Sequence, residues 1–148
     1  MSLTSLNPAT AFAGMEDWAK ALQEASLPYV EAKVQWGTLD CMQLLREYYR
    51  LRTGLDVGGG LAYTNEQEAD ALKQEAGGLV SLVTKVIGTD PLEESDPEPG
   101  DVCVVSIEVA GSETLSGGIY TGYCVFCVDP LVGLARARPD QIVAAWSV

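Results

Sequence analysis

The sequence contains no histidine. This removes the one side chain whose unperturbed pKa, about 6.5, lets it take up and return protons near neutral pH. Cations are scarce too: 9 Lys and Arg stand against 21 Asp and Glu, a formal charge of −12. So acidic a chain is expected to avoid nucleic acid and anionic membranes. Its charge favours solubility and, more weakly, a basic partner surface. No apolar run approaches the ~20 residues of a membrane span, and Met1–Pro8 has neither the basic start nor the apolar core of a signal peptide. The expectation is a protein made in a reducing cytosol, where its four cysteines are thiols rather than a disulfide framework.

What is present reads as one domain spanning 1–148, with helices first and strands second. The 148 residues, 47% of them hydrophobic, suffice for one core without covalent staples. Trp18, Leu22 and Ala25 recur at helical spacing and predict a helix over 9–26 ended by Pro28, then an extended piece at Tyr29–Gln35. A second helix is expected from about Asp40 to Thr53. There Cys41, Leu44, Leu45, Tyr48 and Leu51 form an apolar stripe, Arg46, Glu47, Arg50 and Arg52 lie mostly opposite, and Gly54 is a natural stop. Thr64 and Gln67 have capping-box spacing and mark a third helix reaching Ala76, broken at Gly77-Gly78 and continued through Leu79, Leu82, Val83 and Val86. Gly58-Gly59-Gly60 lacks the strand-to-helix context and Lys-Ser/Thr ending of a phosphate cradle, so no nucleotide site is expected.

Residues 9–88 are therefore expected to be mainly helical. Residues 89–101 carry Asp90, Glu93, Glu94, Asp96, Glu98 and Asp101 with no base, the pattern of a solvated acidic loop. Calcium ligand spacing is absent there, and Pro91, Pro97 and Pro99 oppose it. Residues 102–148 read as mainly strands: Val102–Val109, then Gly118–Tyr120 and Tyr123–Val128 about a tight hairpin at Thr121-Gly122, then Val132–Ala137 and Ile142–Val148, with Trp146 anchoring the last in the core. This order predicts an α+β fold, N-terminal helices packed on a C-terminal antiparallel sheet or partial barrel.

Cys41 is the candidate functional residue. It closes the run Trp36-Gly37-Thr38-Leu39-Asp40-Cys41 at the second helix's start, where dipole and free N–H groups lower a thiol pKa. Because it also opens the apolar stripe, its thiol is expected to point inward or to a groove edge. Catalysis needs a base to form the thiolate and an acid for the leaving group. Without histidine these roles fall to carboxylates, yet Asp40, next in the chain, would raise the thiol pKa. The competing reading of Cys41 is a small buried hydrophobe. Cys124 and Cys127 have CxxC spacing, but residues three apart on a strand point to opposite faces, about 10 Å apart along the chain. Cys41 and Cys103 are isolated, so neither a metal, an iron–sulfur cluster included, nor a cofactor is expected. Tyr120, Tyr123 and Phe126 are expected to pack the sheet.

Trp36-Gly-x-x-Asp40-Cys41 opening a helix, Pro99-Gly100-Asp101-Val102 opening a strand, and Gly118-Ile119-Tyr120-Thr121-Gly122 in a following hairpin resemble, in that order, the NlpC-type papain-like cysteine peptidases. The resemblance implies a papain-like fold with Cys41 at the nucleophile position and Trp36, Gly37 and Asp40 in its motif. It also implies a histidine just before the Gly-Ile-Tyr strand. Here that slot falls near Ser116 and Gly117, neither of which can act as a base.

Over roughly residues 15–148 the chain is similar to a branch of that superfamily carried by tailed bacteriophages and prophages. The similarity lies in the Trp-Gly-x-x-Asp-Cys motif, Tyr63 and the helix after it, Gly100-Asp101-Val102, and the ending Gly133-Leu134 to Ala145-Trp146-Ser147-Val148. Such proteins look like products of tail-module genes. The resemblance implies a catalytically inactive structural adaptor in the distal tail (tail tip or baseplate) of the virion. It would be assembled in the host cytoplasm and would contact other tail proteins of the hub or distal ring. Two alternatives stand beside this: a cysteine amidase or peptidase that cuts cell-wall peptides during entry with a borrowed base or unusual acid, and a tail assembly factor absent from the virion.

Overall fold

Among the described residues the N-terminal half holds four helices, the last three of them stopped by glycine. The computed structural model describes residues 16–30, 34–58, 62–94 and 96–148. The expected helical start at 9–15, part of the extended piece at 31–33, and Gly59 and Gly60 lie outside the described residues. Helix α1 spans Asp17–Ser26, α2 Cys41–Thr53, α3 Glu66–Ala76 and α4 Leu79–Ile87. Asp40 is the cap of α2 rather than its first residue. Its backbone is extended, and its carboxylate accepts from the Gln43 N–H at 3.0 Å. Gly54, at φ 80°, ends the helix in the left-handed conformation. The cap of α3 is Asn65, one residue past the expected Thr64, and accepts from the Glu68 N–H at 2.8 Å. The reciprocal acid is Glu68, not Gln67, and it accepts from the Thr64 N–H and hydroxyl.

The C-terminal half is a five-stranded antiparallel sheet: β1 Val102–Val109, β2 Ser112–Tyr120, β3 Val125–Asp129, β4 Gly133–Ala137 and β5 Ile142–Trp146, in the order β4-β3-β2-β1-β5. The fold is α+β, and the sheet is not closed. Ser112–Gly117 has no strand signature in the sequence, because Ser-Glu-Thr is polar. Pairing from Val109↔Ser112 to Val102↔Ile119 creates that half of β2. The β2–β3 connection is longer than the expected two-residue hairpin. The Thr121 N–H donates to the Cys124 carbonyl at 2.9 Å, and the Thr121 hydroxyl accepts from the Cys124 N–H at 3.3 Å, so β3 begins at Val125.

Alternation along the strands serves two cores. Val102, Val104, Ile119, Val128, Ala144 and Trp146 face the helices; Cys103, Val105, Ile107, Val125, Cys127, Ala137 and Ala145 form a second cluster on the other face. On β5 the parity switches: Val104 pairs with Ala144 but Val105 with Ile142, leaving Val143 as the extra residue of a bulge. Ile142 therefore joins the second cluster, while Ala144 and Trp146 meet the helices. The β4–β5 connection joins opposite edges of the sheet through residues 138–141. At most about 3.5 Å per residue, that reach falls short of a flat five-stranded sheet's width at about 4.8 Å per spacing. The sheet is curled around its second core, where cysteines and alanines leave room for curvature.

Trp146 is fully buried, and its indole N–H donates to the Thr84 hydroxyl at 3.3 Å, tying β5 to α4. Asp101 departs from its expected solvated role. It is buried, accepting from the Glu98 N–H at 2.9 Å and the Val148 N–H at 3.2 Å. Next to it, the Gly100 carbonyl accepts from the Tyr48 hydroxyl of α2. The end of the acidic segment is thus a structural joint between α2, β1 and the last residue. Among the described residues, no helix is long and apolar enough to cross a membrane.

Candidate functional site

The site begins with a turn. The Gln35 carbonyl accepts from the N–H groups of Thr38, at 3.0 Å, and Leu39, at 2.7 Å. This closure presents Gly37, at φ 91°, to the carboxylate of Asp40, which accepts the Gly37 N–H at 2.7 Å. Only glycine fits there, since an added Cβ would collide with the Tyr63 carbonyl. Asp40 is 1% exposed, so its charge must be met by donors. They are the Gly37 and Gln43 N–H groups and the Tyr63 hydroxyl, at 2.6 Å. The Tyr29 hydroxyl adds a bond to the Asp40 carbonyl at 3.1 Å. Burial, then the neighbouring Asp40, raises the pKa of both phenols, so they remain donors. Asp40 therefore acts as a cap and a hub, binding the Trp36–Leu39 turn, α2 and the Tyr63 segment together.

Cys41, the first residue of α2, is half-buried at the edge of a cleft, as its place in the apolar stripe predicts. Opposite it runs the middle of β2. Gly117 permits this approach, because an added Cβ would stand 2.5 Å from the Leu45 Cδ1 of α2. Ser116 is 1% exposed. Its hydroxyl donates to the Val128 carbonyl at 3.0 Å and accepts from the Val128 N–H at 3.3 Å. Backbone pairing of β2 with β3 stops at Gly118↔Cys127. The serine side chain thus supplies the next rung, and the Gly117 backbone is left to face the sulfur.

Burial pushes the Cys41 thiol above its ordinary pKa. The Gly117 backbone, donating to the sulfur, pulls back; Asp40 raises it again; Lys73 and the Ser116 hydroxyl lower it. Desolvation outweighs the groups that lower the value, Asp40 adds to it as its place next in the chain implies, and the thiol is held protonated. The sequence motifs do not single out Lys73. It lines the same cleft, its ammonium lies 5.9 Å from the Trp36 ring centroid, and it pairs with Asp70 at 3.2 Å. Its signal was available only from α3, which carries it over the α2 start. The cleft volume is about 40 Å³. That admits a water molecule or so, whereas small-molecule sites measure roughly 300–1,000 Å³.

Residues 14–148 match the model of a family described as a domain of unknown function, DUF6950. The chain belongs to that family. No curated protein and no solved structure matches it.

The remaining candidates are placed apart from the cleft. Cys127 lies inside the second core, where burial pushes its thiol up to about 12; Cys103 shares that core and that value. Cys124 precedes β3 and sits against the Thr121 hydroxyl at 3.6 Å. Among the described residues, no group of three or more Cys, Asp or Glu is placed to hold a metal ion. Tyr120 and Phe126 pack on the sheet as expected. Tyr123 does not; it is 89% exposed on the β2–β3 turn.

Proposed function

We propose that the chain is a catalytically inactive, NlpC-like adaptor in the distal tail of a tailed bacteriophage, held among the proteins of the tail-tip hub or ring. The carrying observation is what faces Cys41. The slot where a papain-like peptidase would hold its imidazole is filled by Ser116 and Gly117, and the serine hydroxyl already completes a rung to Val128. Neither group accepts a proton near neutral pH. Burial holds the thiol protonated, and the space beside it, about 40 Å³, is that of a water molecule or so. What persists is a rigid scaffold with an acidic surface, suited to wedging between larger assemblies. Mass spectrometry of purified tails tests this: the chain is expected in intact particles, and Cys41→Ala particles are expected to infect normally. Detection in infected lysate but never in particles would replace the adaptor with an assembly factor.

One observation favours a second reading. Lys73 lines the cleft with Cys41 and lowers its pKa, as the cation beside an activated thiol would. Muropeptide cleavage by assembled tails, abolished by Cys41→Ala, would establish a cysteine amidase instead.

A further inference from the structure

We propose that the outer edge of β4 is a docking site for an extended acidic segment of another protein, added as a sixth strand. The inference rests on the adaptor reading and names the kind of partner it would hold. The backbone directions follow from the ladder. Tyr120 exchanges bonds with Gly100 and Asp101, so its N–H and C=O face β1. Neighbouring strand residues alternate, so Ile119 faces β3 and meets Phe126. Phe126 and Val128 therefore face β2, which the Ser116–Val128 bonds bear out. Val125, Cys127 and Asp129 then bond β4 through Ala137, Ala135 and Gly133. The N–H and C=O groups of Leu134 and Arg136 point away from the sheet. Among the described residues, no strand lies beyond β4.

The two edges of the sheet are treated differently. On β5 the Leu92 N–H donates to the Ala145 carbonyl at 2.7 Å, and the Val143 bulge disrupts the rest. Cover and bulge are among the usual protections of an edge; among the described residues, β4 has neither. Just before it, Leu131 and Val132 are 60% and 63% exposed. Arg136 stands on the edge itself and Arg138 just past its end, two of the 9 cations in a chain of charge −12. Arg136 lies over the Phe126 ring at 5.9 Å, and Arg138 pairs with Asp140 with both side chains 72% exposed. The complement is a strand of alternating apolar and acidic residues, with main-chain bonds to Leu134 and Arg136 and carboxylates on the arginines. Antiparallel pairing of two β4 strands centred on Arg136 would set arginine opposite arginine, which disfavours that register for a second copy.

The test uses the full chain in isolation with two probes: an acetylated, amidated hexapeptide alternating glutamate and valine, and its lysine-for-glutamate analogue. In the free protein, amide exchange at Leu134 and Arg136 is expected to be on the order of tenfold faster than at Ala135 and Ala137. Millimolar acidic peptide is expected to slow those two amides and shift NMR resonances over residues 131–138. The lysine analogue leaves them unchanged, and Arg136→Glu reverses the preference. Protection in the free protein, no response to the acidic peptide, or equal response to both peptides overturns the proposal. So does a concentration-dependent dimer in sedimentation that protects the same amides, which assigns the edge to a second copy. None of these readouts depends on the presence of the chain in purified tails, so the two readings fail separately.

Discussion

The helix wall of the cleft, at Asp40 and Cys41, and the strand wall, at Ser116 and Gly117, face the same sulfur, but their polar groups are committed differently. On the helix wall a buried carboxylate gathers donors from the 35–39 turn, from α2 and from Tyr63. On the strand wall the one side-chain polar group, the Ser116 hydroxyl, lines the cleft but is bonded at both its donor and acceptor sides to Val128, in the β2–β3 ladder. One wall holds the start of α2 in place with a buried carboxylate; the other uses its hydroxyl for strand pairing. The hub at Asp40 is part of the folding core and cannot be discarded without loss of stability.

The sharpest way to break this contrast is Asp40→Ala. It removes a helix cap, worth about 1 kcal/mol, and charged hydrogen bonds worth about 1.5–3 kcal/mol, leaving the Tyr63 hydroxyl unpaired. The expected loss is about 4 kcal/mol, a Tm about 10 °C lower at this chain length. A shift below about 2 °C in thermal denaturation would mean that the helix wall is not a stability element.

Ser116→Ala is expected to cost less, about 1–3 kcal/mol, because it strands the Val128 N–H and C=O without partners. Urea denaturation measures the loss, and faster amide exchange at Val128 locates it. An unchanged Val128 would show that the serine serves the sulfur rather than the ladder.

The smallest structural effect is expected for Lys73→Met, within about 0.5 kcal/mol, yet it should be visible in thiol chemistry. Burial raises the Cys41 pKa, so the protonated thiol persists above the ordinary value near 8.5, and alkylation by iodoacetamide accelerates only as pH rises beyond that range. Removing the lysine cation raises the pKa further, and the rate at pH 8 is expected to fall about two- to threefold. Rapid alkylation of the unmodified chain at pH 6 would instead mark an activated nucleophile and restore the enzymatic reading.

Much of the helical half was legible because its signals are local. The apolar stripe of α2, the Gly54 stop and the Gly77-Gly78 break each act through neighbours three or four residues away. The cap of α3 was displaced by one residue because Thr64 and Asn65 both have capping side chains, and only the meeting of Asn65 with Glu68 decides between them. The first half of β2 was illegible because its strand state comes from pairing with β1, not from Ser-Glu-Thr. Asp101 looked like one more loop acid; its burial depends on Val148, distant in sequence. Lys73 could not have been assigned to the cleft, because no local pattern reports which face of α3 meets the start of α2.

By itself the sequence determined that no imidazole is available, that Cys41 opens a helix behind an aspartate, and that helices precede strands, since composition and short-range periodicity carry that information. Tertiary structure alone decided that the thiol is held protonated, that Ser116 is a rung of the sheet and that, among the described residues, Leu92 covers β5 while nothing covers β4. Desolvation, register and edge protection are properties of what long-range folding brings together.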